Sequence, residues 1–324
     1  MIKNISIITI LFLLLSSCTK SDKVTLVESS GRINHVLIVI KNSDWQGKVG
    51  DALRDIITTP IVGLPQEEYQ FSVNQIPPRA FKKLFKRTRN ILFIGYDSIP
   101  NFYTNSNIYA SPQTTLTILG KNKDDLIDNI NSHKDELIST FKKTDLKVYQ
   151  KNITKKHHKL KNIETFNKLG FTLKLPLTYN MVEDNGDFLW YRNEISKGLL
   201  NIIAYEIPYT SLEEEFNVSN IIKIRDSIGK KYIPGQFDDT YMLTEHQVKP
   251  ITKEVTLSEK EAIETRGLWL IKDDFMGGPF VSYTFNDKKN NRLLIIEGFS
   301  YSPSAKKRDF VFELEAILKT ISIE

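Results

Sequence analysis

The sequence predicts a two-domain protein of mixed α/β and α+β class. Three observations predict it. The first half alternates short apolar strands with amphipathic helices, the rhythm of a layered α/β unit. The second half carries a run of alternating strands with helices only in its middle and at its end. That is the rhythm of an antiparallel α+β sheet with its helices on one face. Between the halves, residues 151–163 are lysine-rich and weakly periodic, and read as a basic linker. The expected organisation is a leader over 1–17, a tether over 18–31, an N-terminal domain over 32–150, the linker, and a C-terminal domain over 164–324.

The elements follow in order. His35 to Ile40 (HVLIVI) is a continuous apolar run, as expected of a strand covered on both sides. Asp44 to Thr58 is a helix with Val49, Leu53, Ile56 and Ile57 on one side, and Pro60 stops it. Tyr69 to Val73 alternates as a strand does. Pro77-Pro78 opens a basic helix reaching Arg87, and Asn90 to Tyr96 and Thr115 to Leu119 are further strands. Asp124 to Lys143 reads as one long helix. In the second half, Gly170 to Leu175, Asp187 to Arg192 and Leu199 to Ile207 are strands, with an Asp-Asn-Gly turn at 184–186. Val218 to Lys231 is a helix. Tyr241 to Thr244 is a short strand, Ala262 to Ile271, Phe280 to Asn286 and Arg292 to Phe299 form a meander, and Arg308 to Ile321 closes the chain as an amphipathic helix.

Composition narrows the function classes. The 324 residues are 40% hydrophobic and 26% charged, and the net charge is only +5. Nucleic-acid binding is not expected from so mild an excess, because binders concentrate basic charge. The single cysteine, Cys18, follows a short start with Lys3 and an apolar run from Ile5 to Leu15. This is the three-part form of a secretory signal, too short to span a bilayer as a mature helix. Leu15-Ser16-Ser17-Cys18 resembles a bacterial lipobox. That resemblance implies lipid on the Cys18 thiol, cleavage before it, and a membrane partner reached through the lipid. Thr19, rather than Asp, follows the cysteine, which in such signals implies the outer membrane; the mixed charge of residues 19–23 favours its periplasmic side.

Two longer stretches carry a further resemblance: Trp45 to Phe71 (WQGKVGDALRDIITTPIVGLPQEEYQF), and Arg266 to Ile321 beginning RGLWLIKDDFMGGPF. With the leader they resemble an uncharacterised lipoprotein family of Bacteroidetes-type bacteria, a domain of unknown function. Gly170 to Asn193, with the strand–strand–helix ending, resembles the Mog/PsbP-like fold, whose members mostly bind or assemble. Fold analogy alone does not assign a function.

Two stretches supply candidate binding residues. In the first, Asp273 and Asp274 precede Gly277-Gly278-Pro279, with Arg266 and Trp269 just upstream. Adjacent acids could meet a hard cation, but no further acid stands at loop spacing. Neighbours in an extended segment diverge, so a glycine turn carrying two solvated acids is the simpler reading. In the second, Trp45, Asp51 and Arg54 lie at a strand-to-helix junction, where a helix start attracts anions. Asp51 would oppose an anion there, and an Asp51–Arg54 pair three residues apart is the simpler reading. The five histidines do not cluster, and neither a zinc-protease motif nor a nucleophile elbow occurs. No catalytic residue, metal site or cofactor is assigned. The leading expectation is a non-enzymatic envelope module that binds a protein or glycan through aromatics near turns: Trp45, Trp190, Trp269 and Phe275. The alternatives are an envelope hydrolase using Asp273 or Asp274, and a nutrient-binding protein with an interdomain cleft.

Overall fold

The computed structural model describes residues 26–159, 161, 163–208 and 218–323. The leader, Cys18 and the start of the tether lie outside the described residues. The last part of the expected tether is bound into the fold: Ser111 N donates to Val27 O at 2.9 Å, and Ser30 N to Arg87 O at 2.7 Å.

The chain builds β1 (His35–Val39), α1 (Asn42–Trp45), α2 (Lys48–Ile57), β2 (Ser72–Ile76), α3 (Lys83–Lys86), β3 (Asn90–Tyr96), β4 (Asn101–Ser106) and β5 (Thr114–Gly120). Then come α4 (Lys123–Ser132) and α5 (Lys134–Lys155). The strands form one sheet in the order β2-β1-β3-β5-β4, parallel except for β4. Val36, Ile38, Leu92 and Leu116 meet Leu53 of α2, Leu126 of α4 and Phe141 of α5 on one face. Leu37, Val39 and Ile91 meet Phe81 and Phe85 on the other. Burial on both sides is why β1 reads as an unbroken apolar run.

Three expectations for this half are corrected. The basic helix from Pro78 to Arg87 is a 3₁₀ turn at Pro78–Ala80 followed by the single turn α3. The connection from Tyr96 to Thr114 contains the edge strand β4, whose exposed sequence NFYTNS gives little apolar signal. The helix expected over 124–143 is two helices, parted at His133, whose ring stacks on Phe102 at 4.1 Å. The second, α5, runs through Lys155, so the expected linker begins inside a helix. Its Leu137 and Phe141 belong to the first core, while Ile153 is buried in the second.

The second half comprises α6 (Glu164–Leu169), β6 (Phe171–Thr172), β7 (Asn180–Asp184), β8 (Phe188–Ile195), β9 (Gly198–Pro208), α7 (Val218–Tyr232) and β10 (Met242–Thr244). It continues with β11 (Ile251–Leu257), β12 (Lys260–Ile271), β13 (Gly277–Asp287), β14 (Arg292–Tyr301), α8 (Arg308–Leu318) and β15 (Ser322–Ile323). An antiparallel sheet runs β10-β12-β13-β14-β9-β8-β7, with β11 also on β12; β6 pairs β15 separately. The strand expected over 170–175 is therefore only two residues long, and β7 and β11 are additions.

Helices cover both faces of this sheet rather than one. Leu314, Ile317 and Leu318 of α8 pack with Val281, Leu294 and Ile296. Ile228 of α7 packs with Phe280, Leu293 and Ile295 on the opposite side. Alternate residues of β14 thus serve different cores. At Gly298 a Cβ would stand 2.8 Å from Leu314 Cβ, so the glycine lets α8 lie against the strand.

The two halves are joined by more than α5. Gly63, at φ +80°, brings the loop after α2 onto β12, where a Cβ would come within 2.9 Å of Arg266 Cβ. Glu68 of that loop is buried and accepts from Lys307 N at 2.6 Å and Arg308 N at 3.1 Å, at the start of α8. An anion there suits the positive end of a helix and its unpaired N–H groups. The two stretches that resemble the lipoprotein family therefore touch each other directly.

Candidate functional site

The stretch Arg266–Phe280 is the β12–β13 hairpin, but its turn is not made by the glycines. The turn is Lys272–Met276, with Asp273 in the left-handed region at φ 58°, a conformation Asp tolerates. Gly277 and Gly278 are already in β13, paired with Leu270 and Trp269. Gly278 is required for close approach: a Cβ there would stand 2.0 Å from Ser300 O and 3.2 Å from Trp269 Nε1. Its absence lets Trp269 Nε1 reach Ser300 O, donating at 3.2 Å.

The expected site residues then separate. Arg266 and Trp269 differ in strand parity and face opposite sides of the sheet. Asp273 is exposed at the tip beside Lys272 at 3.5 Å. Asp274 turns one oxygen to Phe275 N, accepting at 2.6 Å. Among the described residues no group of acids, histidines or cysteines is arranged to hold a metal ion. Trp45, Asp51 and Arg54 lie in the first half. There Arg54 pairs with Asp51 at 2.6 Å, donates to Trp45 O at 2.9 Å, and stacks 4.8 Å from the Trp45 ring. Arg54 thereby locks the α1–α2 corner, and its guanidinium is already committed to protein partners.

On the Trp269 side a cavity of about 220 Å³ opens, floored by Met242, Ile271 and Phe299 and walled by Trp190, Trp269 and Tyr301. Asn201 organises one wall, accepting from Trp190 Nε1 at 3.0 Å and Arg192 Nε at 3.2 Å. The Arg192 guanidinium covers the Trp190 ring at 4.7 Å. Gln236 and Met276 line the rim, and the residue after the first and before the second, Phe237 and Phe275, are exposed by 62% and 106%. Two of the four aromatics singled out in the sequence, Trp190 and Trp269, thus line this cavity, Phe275 precedes its lining residue Met276, and Trp45 lies in the other half. Arg192, Asn201 and Tyr301 give no signal of their own, because β8, β9 and β14 bring them in from elsewhere in the chain.

On the Arg266 side a second cavity, about 750 Å³, separates α5 from β11, β12 and α8. Arg266 donates to Glu264 at 2.7 Å and to Glu315 at 2.8 Å, and Tyr283 Oη to Glu264 at 2.9 Å. Burial alone would lower the Arg266 pKa, but Glu315 and Glu264 outweigh it and hold the guanidinium above its usual value. Burial likewise pushes the Glu315 carboxyl up, but Arg266 and Lys319 overcome this and hold it far below the usual range. Lys142 of α5 also faces this cavity. It makes no direct ion pair among the described residues, and burial lowers it to about 8 against the pull of Glu315.

Residues 154–320, more than half of the chain, match the family described as Domain of unknown function (DUF4837). The chain belongs to that family. Residues 29–154 match a second, Domain of unknown function (DUF8532). No curated protein matches. Among solved structures, a protein of Bacteroides thetaiotaomicron is similar at 12% identity over 48% of this chain, with a TM-score of 0.27. The match takes in 45% of that protein, so this chain spans under half of it. LpqN of Mycobacterium tuberculosis, described as involved in cell envelope biogenesis, is 9% identical over 47% of this chain and 82% of its own, with a TM-score of 0.30. The Saccharomyces cerevisiae Ran-binding protein Mog1p is 9% identical over 48% of this chain and 90% of its own, with a TM-score of 0.31. No helix among the described residues is long and apolar enough to cross a membrane.

Proposed function

We propose that this member of DUF4837 is a lipoprotein of the Bacteroidetes type, held through lipid on Cys18 at the outer membrane and facing the periplasm. It acts there as a non-enzymatic binding module with two domains, the second of Mog/PsbP-like architecture. The lipobox form of Leu15–Cys18 supports the anchor. The division of the two family matches at residue 154, and the separate cores of the two sheets, support the domain reading. The antiparallel meander closed by α8 supports the architecture.

The observation that carries the binding role is the aromatic end of the larger sheet: two exposed phenyl rings beside a small, mostly apolar cavity. Aromatic anchors around such pockets concentrate binding energy at interfaces. A protein partner fits better than a glycan. The two indoles are walls rather than free stacking surfaces, being only 7% and 3% exposed, and the exposed rings are phenyl groups with no polar edge. The occupant is an apolar side chain of a partner protein. The hydrolase reading loses its basis, because Asp273 is exposed on a hairpin tip and Asp274 binds its neighbour's backbone. The interdomain cleft is lined by charges rather than the aromatic rings expected of a nutrient site. A photo-crosslinker placed at Phe275 in the native envelope is expected to capture a reproducible protein, and Phe237→Ala is expected to abolish capture. Equal capture from a crosslinker on the exposed Lys288 would overturn the assignment.

A further inference from the structure

The first sheet carries a groove that none of the preceding roles uses. It lies between β4, β5 and the middle turns of α5 and encloses about 360 Å³. Lys143, Lys147 and Lys151 line it, each four residues from the next, so that they form one stripe along the helix. Opposite, on β4, stand the hydroxyls of Thr104 and Ser106, while Thr140 lies on α5 itself, three residues before Lys143. No acid lines the groove. The acid within the same helix stretch, Asp145, is buried and committed to Arg89 Nη1 at 2.9 Å and Asn34 N at 2.8 Å. The three lysines are exposed and in no ion pair among the described residues. Ammonium groups set against hydroxyl donors match a phosphate, an acceptor-only anion.

The position of the groove selects the source of that phosphate. Its wall includes Pro112 and Gln113; the preceding residue, Ser111, binds Val27, and Gln113 Nε2 donates to Lys86 O at 2.7 Å. The incoming chain, Val27 to Ser30, therefore runs between the lysine groove and the basic α3, where Arg87 also donates to Glu28 O at 3.4 Å. Between Cys18 and Val27 the chain can span at most about 32 Å. An anchor on Cys18 would hold this basic face close over its own membrane, at a high effective concentration. We infer that the groove of Lys143, Lys147 and Lys151 docks the protein onto its anchoring membrane by taking the phosphate of an anionic lipid headgroup. This inference rests on the lipid-anchor reading for its choice of membrane, but not for its choice of phosphate.

The test uses the mature chain with Cys18→Ser, which keeps every described residue and carries no lipid. It is expected to co-sediment with vesicles of phosphatidylcholine containing phosphatidylglycerol, and not with phosphatidylcholine alone. Salt is expected to release it. Lys143→Glu, Lys147→Glu and Lys151→Glu together are expected to weaken binding about a hundredfold, since each basic side chain near an anionic surface contributes about fivefold. Lys288→Glu with Lys289→Glu, on the β13–β14 turn, should leave binding unchanged. Inorganic phosphate competing at millimolar levels would mark a soluble phosphate as the occupant and overturn the lipid assignment. So would absence of binding to the anionic vesicles, the result an acidic protein partner would give, or equal binding by a triple variant of native circular dichroism. The intact mass of the native protein reads the anchor independently: an unmodified Cys18 would sink the lipoprotein reading while leaving vesicle binding to stand or fall by itself.

Discussion

The two faces of the eight-stranded sheet bury charge in opposite ways. Under α7, Arg225 grips Glu297 with two bonds of 2.9 and 2.8 Å, reaches Thr244 at 2.9 Å, and lies 3.9 Å from the Phe280 ring. Glu297 is wholly buried and Arg225 nearly so. Under α8, Arg266 is shared between Glu264 and Glu315, Lys319 adds a second cation, and all of them border an open cleft into which Lys142 projects. Glu297 and Thr244, with Asp226 4.0 Å away, take up the Arg225 guanidinium and leave nothing for a ligand. The open network is also balanced around Arg266 but leaves Lys142 outside the balance. Burial of charge therefore marks structure on one face, while incomplete pairing marks the other as adjustable.

Three changes would break or sharpen this contrast. The largest effect is expected from Glu297→Ala, which strands the Arg225 guanidinium in an apolar layer and should cost about 3–5 kcal/mol in denaturant unfolding. Arg225→Met combined with Glu297→Leu should recover most of that loss; a double variant as unstable as the single one would show that the pair does more than satisfy itself. A smaller effect is expected from Glu315→Gln, about 1–3 kcal/mol at neutral pH. Because the folded carboxyl is held below its unfolded value, the stability it adds is complete above the ordinary carboxylate range, about pH 4.3, and falls away as the solution is acidified. The acid limb of the stability–pH curve should flatten in the variant, and an unchanged limb would remove Glu315 from its causes. The smallest effect, and of opposite sign, is expected from Lys142→Met. With a folded pKa of about 8, the unfolded chain binds more protons between that value and about 10.4, so the wild-type gains stability as pH rises through this window. The variant should lose that rise and be more stable at neutral pH by about 1–2 kcal/mol. Chemical denaturation at pH 7 and pH 10 reads both.

What the sequence revealed follows the same division between local and distant causes. The apolar run at His35–Ile40, the amphipathic pattern of residues 308–321 and the meander over 262–299 were all readable, because each pattern is set by burial along a single element. The strands β4 and β11 were hidden, since NFYTNS and ITKEVTL sit at sheet margins and keep most side chains partly in water. The glycines at 277 and 278 announced a special backbone position but not which one. Gly277 makes room for the carbonyl of Trp269 on β12, and Gly278 for that of Ser300 on β14. Trp190, Trp269 and Phe275 stand apart in the sequence, and only the chain of pairings β8–β9–β14–β13–β12 places the first two around one cavity. Lys142 carried no signal, because on a lysine-rich helix its facing differs from that of Lys143 by a single residue step. The sequence pattern also assigned α7 to the α8 side, since an amphipathic helix says that it covers a sheet and not which face.

The continuity of α5 has a mechanical consequence. A loose hinge at residues 151–163 would let the second half swing about the first, and a partner caught at the aromatic end would wander relative to the membrane. One helix that supplies Phe141 to one core and Ile153 to the other, with Gln150 Nε2 donating to Ala316 O of α8 at 3.1 Å, works as a rigid spacer. Phe275 and the lysine stripe then stand at a set offset, so a partner held at the aromatic end, with the lysine groove docked as proposed, would be presented at one height and one angle above the membrane.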